Sequence, residues 1–286
     1  MTLAQDFEDF VKLLNKHQVD YLVVGGYALA FHGKPRHTGD LDIWINSSES
    51  NAEKLVNVIQ EFGLASLGLA VGVGALKSIT TGYSNVAIGN NTMENTTTGD
   101  RNVAVGDATL NANISGVYNT ALGNEVLRNN TTGSRNAGVG MNSLLSNTTG
   151  NNNSTLGMYA LKDNTTGSGN IALGSDALRS NVANSGSIAI GNNAMLYSDH
   201  RTSGRTTANT AVGHESMQGS ATAANNIGQY NSVLGYQTLI ANTSGNYNSG
   251  LGYRALYTNT SGEDNMASGA AALYQNTTGS FNTAIG

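Results

Sequence analysis

The chain has 286 residues, a net charge of −5 and no cysteine, which excludes disulfides and thiolate metal sites. No apolar run approaches the ~20 residues that a membrane helix needs, and no basic patch offers a footprint for DNA or RNA. Composition divides the chain: residues 1–69 carry 5 basic and 9 acidic side chains, whereas residues 70–286 carry 9 and 10 and hold 30 of the 36 glycines.

The N-terminal segment is amphipathic and acidic, unlike a signal peptide. Phe7, Phe10, Val11, Leu13 and Leu14 stand at helical spacing, so a helix is predicted from Phe7 to Lys16. Asp20 to Gly26 reads as a buried strand running into a glycine turn, and Tyr27 to His32 as the opening of a short helix. Asp40 to Ile45 alternates acidic and apolar residues, as a strand with one wet face does. Ser48 to Phe62 is predicted to be a second amphipathic helix, capped by Ser48.

Gly25-Gly26, thirteen intervening residues and then Asp40-Leu41-Asp42 resemble the nucleotidyltransferase superfamily, in particular the small bacterial members of toxin–antitoxin and defence loci. The chemistry suits that spacing. Two aspartates two apart on a strand face one side, where Asp40 and Asp42 would hold Mg2+. A Gly-Gly turn at a helix N-terminus would present backbone N–H groups to the triphosphate of an NTP, and Arg36 and Thr38 would touch phosphates as well. The resemblance implies transfer of a nucleotide to a protein or RNA hydroxyl, with Mg2+ and NTP as cofactors, in the cytoplasm. The family also uses a third carboxylate on a later strand, and none is found in this text before the repeat begins. Residues 1–69 are therefore expected to be a truncated, inactive α/β fragment.

From about Ala70 a short unit repeats: Asn-x-Ala-apolar-Gly, then small-Leu, then Asn-Thr-Thr-Gly. Its anchor glycines are Gly89, Gly106, Gly123, Gly140, Gly157, Gly174, Gly191, Gly213, Gly235, Gly252, Gly269 and Gly286, 17 residues apart except for two steps of 22 that end at Gly213 and Gly235. A period this short predicts a solenoid, with each copy one coil stacked on the next. The expected fold is mainly β: a parallel β-solenoid of about twelve coils over residues 70–286, about 55–60 Å long at the strand spacing.

Two columns of large apolar residues recur. One precedes the anchor (Ile88, Val105, Leu122, Val139, Leu156) and one follows it by four (Met93, Leu110, Leu127, Leu144, Leu161); both are expected to point inward. The reading per coil is a strand, a bend at the anchor, a second strand and a turn. Asn and Gly of the Asn-Thr-Thr-Gly turn would supply positive φ. The first coil reads as irregular and two residues short, with Leu76 early. The two insertions, around 198–205 and 221–228, should bulge as loops that carry His200, Arg201 and Arg205. The Asn-Thr-Thr triplets match glycosylation acceptors, but are read as turns that the fold requires. The tyrosines, among them Tyr159, Tyr236, Tyr253, Tyr257 and Tyr274, shift phase between copies and read as scattered surface residues rather than a glycan-binding stripe.

Two large apolar residues per coil make a thin core: about 2 kcal/mol for each buried side chain stands against ~1–2 kcal/mol of ordering per residue. A shared apolar surface is expected, most simply in a trimer of parallel chains. Asn85-Val-Ala-Ile-Gly89, Asn102-Val-Ala-Val-Gly106 and Ser187-Ile-Ala-Ile-Gly191 resemble the head repeats of trimeric autotransporter adhesins, the chlorovirus glycoprotein repeat and repeats in phage tail fibres. That resemblance implies a trimeric parallel β-roll with a structural or adhesive role at a cell or virion surface, where a surface receptor or a glycan would be its partner. No cofactor is expected for the repeat. The abrupt change near Leu69 and the ending on an anchor segment, Asn282 to Gly286, read as a chimera cut at both ends of the rod.

Overall fold

A computed structural model of the chain describes residues 5–24, 42–48, 50–51, 54–55, 57–58, 68–198, 201–222 and 225–286. The chain forms two compact units, Met1–Leu67 and Gly68–Gly286.

In the first unit the expected helix is α1 (Gln5–Lys16). β1 (Tyr21–Val24) pairs antiparallel with β2 (Asp42–Ile45), with Leu22 opposite Trp44 and Val24 opposite Asp42. Alternation along these strands sends Tyr21, Ile43 and Ile45 against Leu14, Val19 and Val58, which are buried. Asn51, also buried, ties the strand ends together: its Oδ1 accepts from the Asp20 N–H at 2.6 Å, and its Nδ2 donates to the Asp20 and Asn46 carbonyls, both at 2.9 Å. The helix expected over Ser48–Phe62 is helical at its described positions 50–51, 54–55 and 57–58. The stretch Tyr27–His32 lies outside the described residues.

The second unit is a parallel β-solenoid. Thirteen strands, from β3 (Leu69–Val71) to β15 (Thr283–Ile285), pair each with the next in sequence. Each has three residues and every coil adds one strand to the same sheet, as β7 (Ala137–Val139) does beside β8 (Ser154–Leu156), with Ala137 opposite Ser154. The anchor glycine ends the strand at a φ that only glycine adopts freely. Gly157, for example, has φ +143°, and a Cβ there would lie 2.4 Å from the carbonyl oxygen of Gly174 in the next coil.

The first coil is regular, contrary to the expectation. Gly72 has φ +129°, and Leu69 pairs with Val86. Gly72 is thus the true first anchor, 17 residues before Gly89, and Leu76 stands four past it like every other core leucine.

The expected second strand is absent from the described coils. After Gly140 the chain turns instead, with Asn142 at φ 57° and Leu144 at φ 53°. A left-handed conformation costs an L-residue roughly 1–2 kcal/mol. Hydrogen bonds to both neighbouring coils hold it: Asn142 N–H donates back to the Asn124 carbonyl, and Leu144 and Ser146 N–H donate forward to those of Ala160 and Lys162, each at 3.0 Å. As in the paired strands, these donors run along the stacking axis, although the backbone that carries them is left-handed.

The core differs as well. The column four past the anchor is buried as expected: Leu110, Leu127, Leu144 and Leu161 are fully enclosed. The column just before the anchor is not. Leu156 is 55% exposed and Leu251 51%. With three-residue strands, only the middle residue faces inward, and that is the small one: Ala87, Ala104, Ala121, Ala172, Ala189 and Ala211 are buried.

Asparagine fills the rest of the interior. Four before the anchor, Asn102, Asn119, Asn136 and Asn153 stack coil on coil. Asn119 Oδ1 accepts both the backbone N–H (3.0 Å) and the Nδ2 (3.2 Å) of Asn136, whose Nδ2 also donates to the Gly150 carbonyl at 2.8 Å. A second column lies seven past the anchor, where Asn147 Nδ2 donates to Asn130 Oδ1 at 2.8 Å and to the Gly150 carbonyl at 3.1 Å. This corrects the expected positive φ, because neither Asn147 nor Gly150 has one. The asparagine is there for its amide. The glycine is there because a Cβ would lie 2.4 Å from both Asn147 Oδ1 and the Gly167 carbonyl oxygen.

Two substitutions separate these contributions. Leu144→Ala should lower unfolding stability by about 2–5 kcal/mol through a buried cavity. Asn136→Ala should lower it by roughly 1–3 kcal/mol for each amide partner left unpaired. Urea titration followed by circular dichroism measures both, and a neutral Asn136→Ala would show that the amide column is dispensable.

Candidate functional site

The strand face that looks outward is the most distinctive surface of the solenoid. Its residues flank the buried alanine: Ile171 and Leu173 in β9 (Ile171–Leu173), Ile188 and Ile190 in β10 (Ile188–Ile190), Thr120 and Leu122 in β6 (Thr120–Leu122). Across all thirteen strands none of these positions is charged. At ~4.8 Å per strand the stripe runs about 58 Å. Large apolar residues recur along it beside Thr120, Ser154, Thr210 and Ser232, and exposed apolar surface of this kind is a candidate contact face.

The two insertions leave the sheet undisturbed, since Ile188 pairs with Thr210 and Thr210 with Ser232 across the 22-residue steps. Arg201, Thr202, Ser203 and Gly204 are exposed, as are Ala221 and Thr222, so both insertions reach the surface as expected. His200 lies outside the described residues. Arg205 turns inward to the repeat, its Nη2 donating to the Ile227 carbonyl of the next insertion. Loops on a rigid scaffold are favourable places for recognition.

The tyrosines are more ordered than their sequence phase suggests. One residue past the anchor, His214, Tyr236 and Tyr253 of successive coils stack with centroids 5.5 Å apart at each step. Tyr257 stacks on Tyr274 at 4.9 Å, and Tyr230 on Tyr247 at 5.1 Å. The Arg254 guanidinium sits 5.1 Å from the ring centres of both Tyr253 and Tyr257, with its Nε donating to Gln237 Oε1 at 2.7 Å. A sugar stacks on a free ring face, whereas Tyr236 has an aromatic ring against each of its faces. The His214–Tyr236–Tyr253 column therefore acts first as a coil-to-coil staple.

The Asn-Thr-Thr triplets behave as turns. Glycosylation would use the Nδ2 atoms of Asn130, Asn147 and Asn164, but these side chains are buried and their Nδ2 atoms each donate two hydrogen bonds. Asn95 differs in being exposed.

Of the residues expected to serve nucleotide transfer, Gly25, Gly26, Arg36, Thr38 and Asp40 lie outside the described residues. Asp42 opens β2, opposite Val24 and thus beside the strand end that leads into Gly25. Among the described residues no helix is long and apolar enough to cross a membrane. Compared with family models, curated proteins and solved structures, the chain matches none.

The buried amides give a direct test. Presented already folded to an oligosaccharyl transferase, the chain should take no glycan at Asn130, Asn147 or Asn164, whereas the unfolded chain should accept it. Peptide mass mapping after trypsin reads this out, and modification of folded protein at any of the three would contradict the buried amide column.

Proposed function

We propose that the solenoid is a fibre segment in which three parallel copies share the uncharged strand face, as part of a cell-surface or virion attachment structure. The observation that carries this reading is the apolar stripe itself. It repeats on every coil, it is half-exposed in the single chain, and an interior of one leucine and one alanine per coil leaves the fold in need of further burial. The likeness of Asn85–Gly89 and its counterparts to adhesin and tail-fibre repeats supports the trimeric arrangement and the adhesive role. A receptor protein or a glycan would meet the exposed insertions at Arg201–Gly204 and Ala221–Thr222.

Light scattering on the full chain tests the assembly. Three chains per particle are expected at micromolar concentration, and Leu156→Glu with Leu173→Glu should reduce the particle to one chain while circular dichroism stays β-rich. A wild-type monomer would remove the shared-face argument.

A second reading keeps the first unit as a Mg2+-dependent nucleotidyltransferase. What supports it is the β1–β2 pairing, which sets Asp42 across from the residue before Gly25-Gly26, where metal and triphosphate groups would have to meet. Incorporation of labelled nucleotide that disappears in Asp42→Asn would favour it; no incorporation at any Mg2+ concentration would end it.

A further inference from the structure

From Asn113 onward the interior columns are continuous except around the two 22-residue coils. Seven past the anchor, the asparagines run from Asn113 to Asn181 and resume at Asn242; between them the same position is Ser198 and then Ser220. Four before the anchor, Ser187 replaces asparagine between Asn170 and Asn209. Each exchange removes an amide from a stack that is otherwise packed coil on coil. Asn226 refills part of the gap, its Nδ2 donating to the Tyr197 and Ser220 carbonyls. A cavity of about 30 Å³ remains, lined among others by Asn181, Ser198, Thr207, Asn209, Asn226 and Asn242.

Three polar atoms on its wall are short of partners among the described residues. Ser198 Oγ is buried without a hydrogen bond. Asn181 ends the first stretch of the column seven past the anchor: its own Nδ2 donates to Asn164 Oδ1 and to the Asn184 carbonyl, but no following amide donates to its Oδ1. Asn242 begins the next stretch, and its Nδ2 donates only to the Gly245 carbonyl, whereas Asn147 Nδ2 has two acceptors. A buried polar group left unpaired is destabilising.

We propose that this cavity is a buried water site that satisfies the broken ends of the amide column. Its volume suits two or three water molecules, each needing about 10–15 Å³ and two to four polar partners. One water donates to Asn181 Oδ1 and Ser198 Oγ, which stand one coil apart, and another accepts from Asn242 Nδ2 at the far end of the cavity, doing what the missing amides do elsewhere. The lining carries no charged side chain, so a neutral ligand fits and an ion would be left uncompensated.

A crystal structure of the full chain, at a resolution that shows ordered water, tests this. Density is expected within ~2.6–3.2 Å of at least two of Asn181 Oδ1, Ser198 Oγ and Asn242 Nδ2. A dry cavity, or side chains that close on one another, would overturn the proposal. Ser198→Asn restores an amide and should displace the water at Asn181 Oδ1 without lowering the melting temperature; retention of the same water beside the new amide would count against the site. Should that variant fail to fold, the wild-type density alone decides.

Discussion

The solenoid depends on asparagine amides that only a neighbouring copy can satisfy. A buried primary amide is costly unless its donors and acceptor are used. Asn136 meets that condition through Asn119 on one side and passes its own Oδ1 to Asn153 on the other. No coil closes its own account. Folding is therefore cooperative along the stack: each added coil satisfies polar groups that the previous one left open, over and above the apolar contact of its leucine. The same logic explains the composition. A charge in place of any stacked amide would face its own copies at strand spacing, so the repeat is polar and nearly uncharged.

That stacking also decides where glycine stands. Gly157 and its counterparts need a positive φ and leave no room for a Cβ, whereas Gly150 and its counterparts need only the room. Conversely, Asn142, Leu144 and Asn152 hold positive φ without being glycine. Their strain is offset because each N–H reaches a carbonyl of an adjacent coil, and because Leu144 is fully buried there. A glycine at Leu144 would relax the backbone and empty the core.

Much of this was legible beforehand. Regular spacing of the anchors gave the solenoid, its parallel pairing and the buried leucine column, because a strict period in a polar text has no other use. Helix α1 and strands β1 and β2 followed from apolar spacing at Phe7–Leu14 and from the alternation at Asp42–Ile45. What failed were inferences that treated residue type as a proxy for direction. Leu156 and Val139 are large and apolar, which favours an inward reading; a three-residue strand has one inward position, and the smaller neighbour occupies it. Leucine has no turn propensity, so nothing at Leu144 announced a left-handed residue. The stacked rings of Tyr236 and Tyr253 were hidden by treating several short columns as one. For the first unit, the candidate residues Gly25, Gly26, Arg36, Thr38 and Asp40 stay where the sequence left them, as a motif.

The direction of the hydrogen bonds has a mechanical meaning. Strand pairing, amide columns and turn donors all link one coil to the next, so they lie along the axis of the stack. A tensile load on that axis reaches every layer in series and pulls the bonds straight apart, one coil at a time, rather than shearing many together. Such a stack resists extension only as well as its weakest layer. Lateral association along the outward face would put contacts in parallel with the load, turning three brittle columns into one rope.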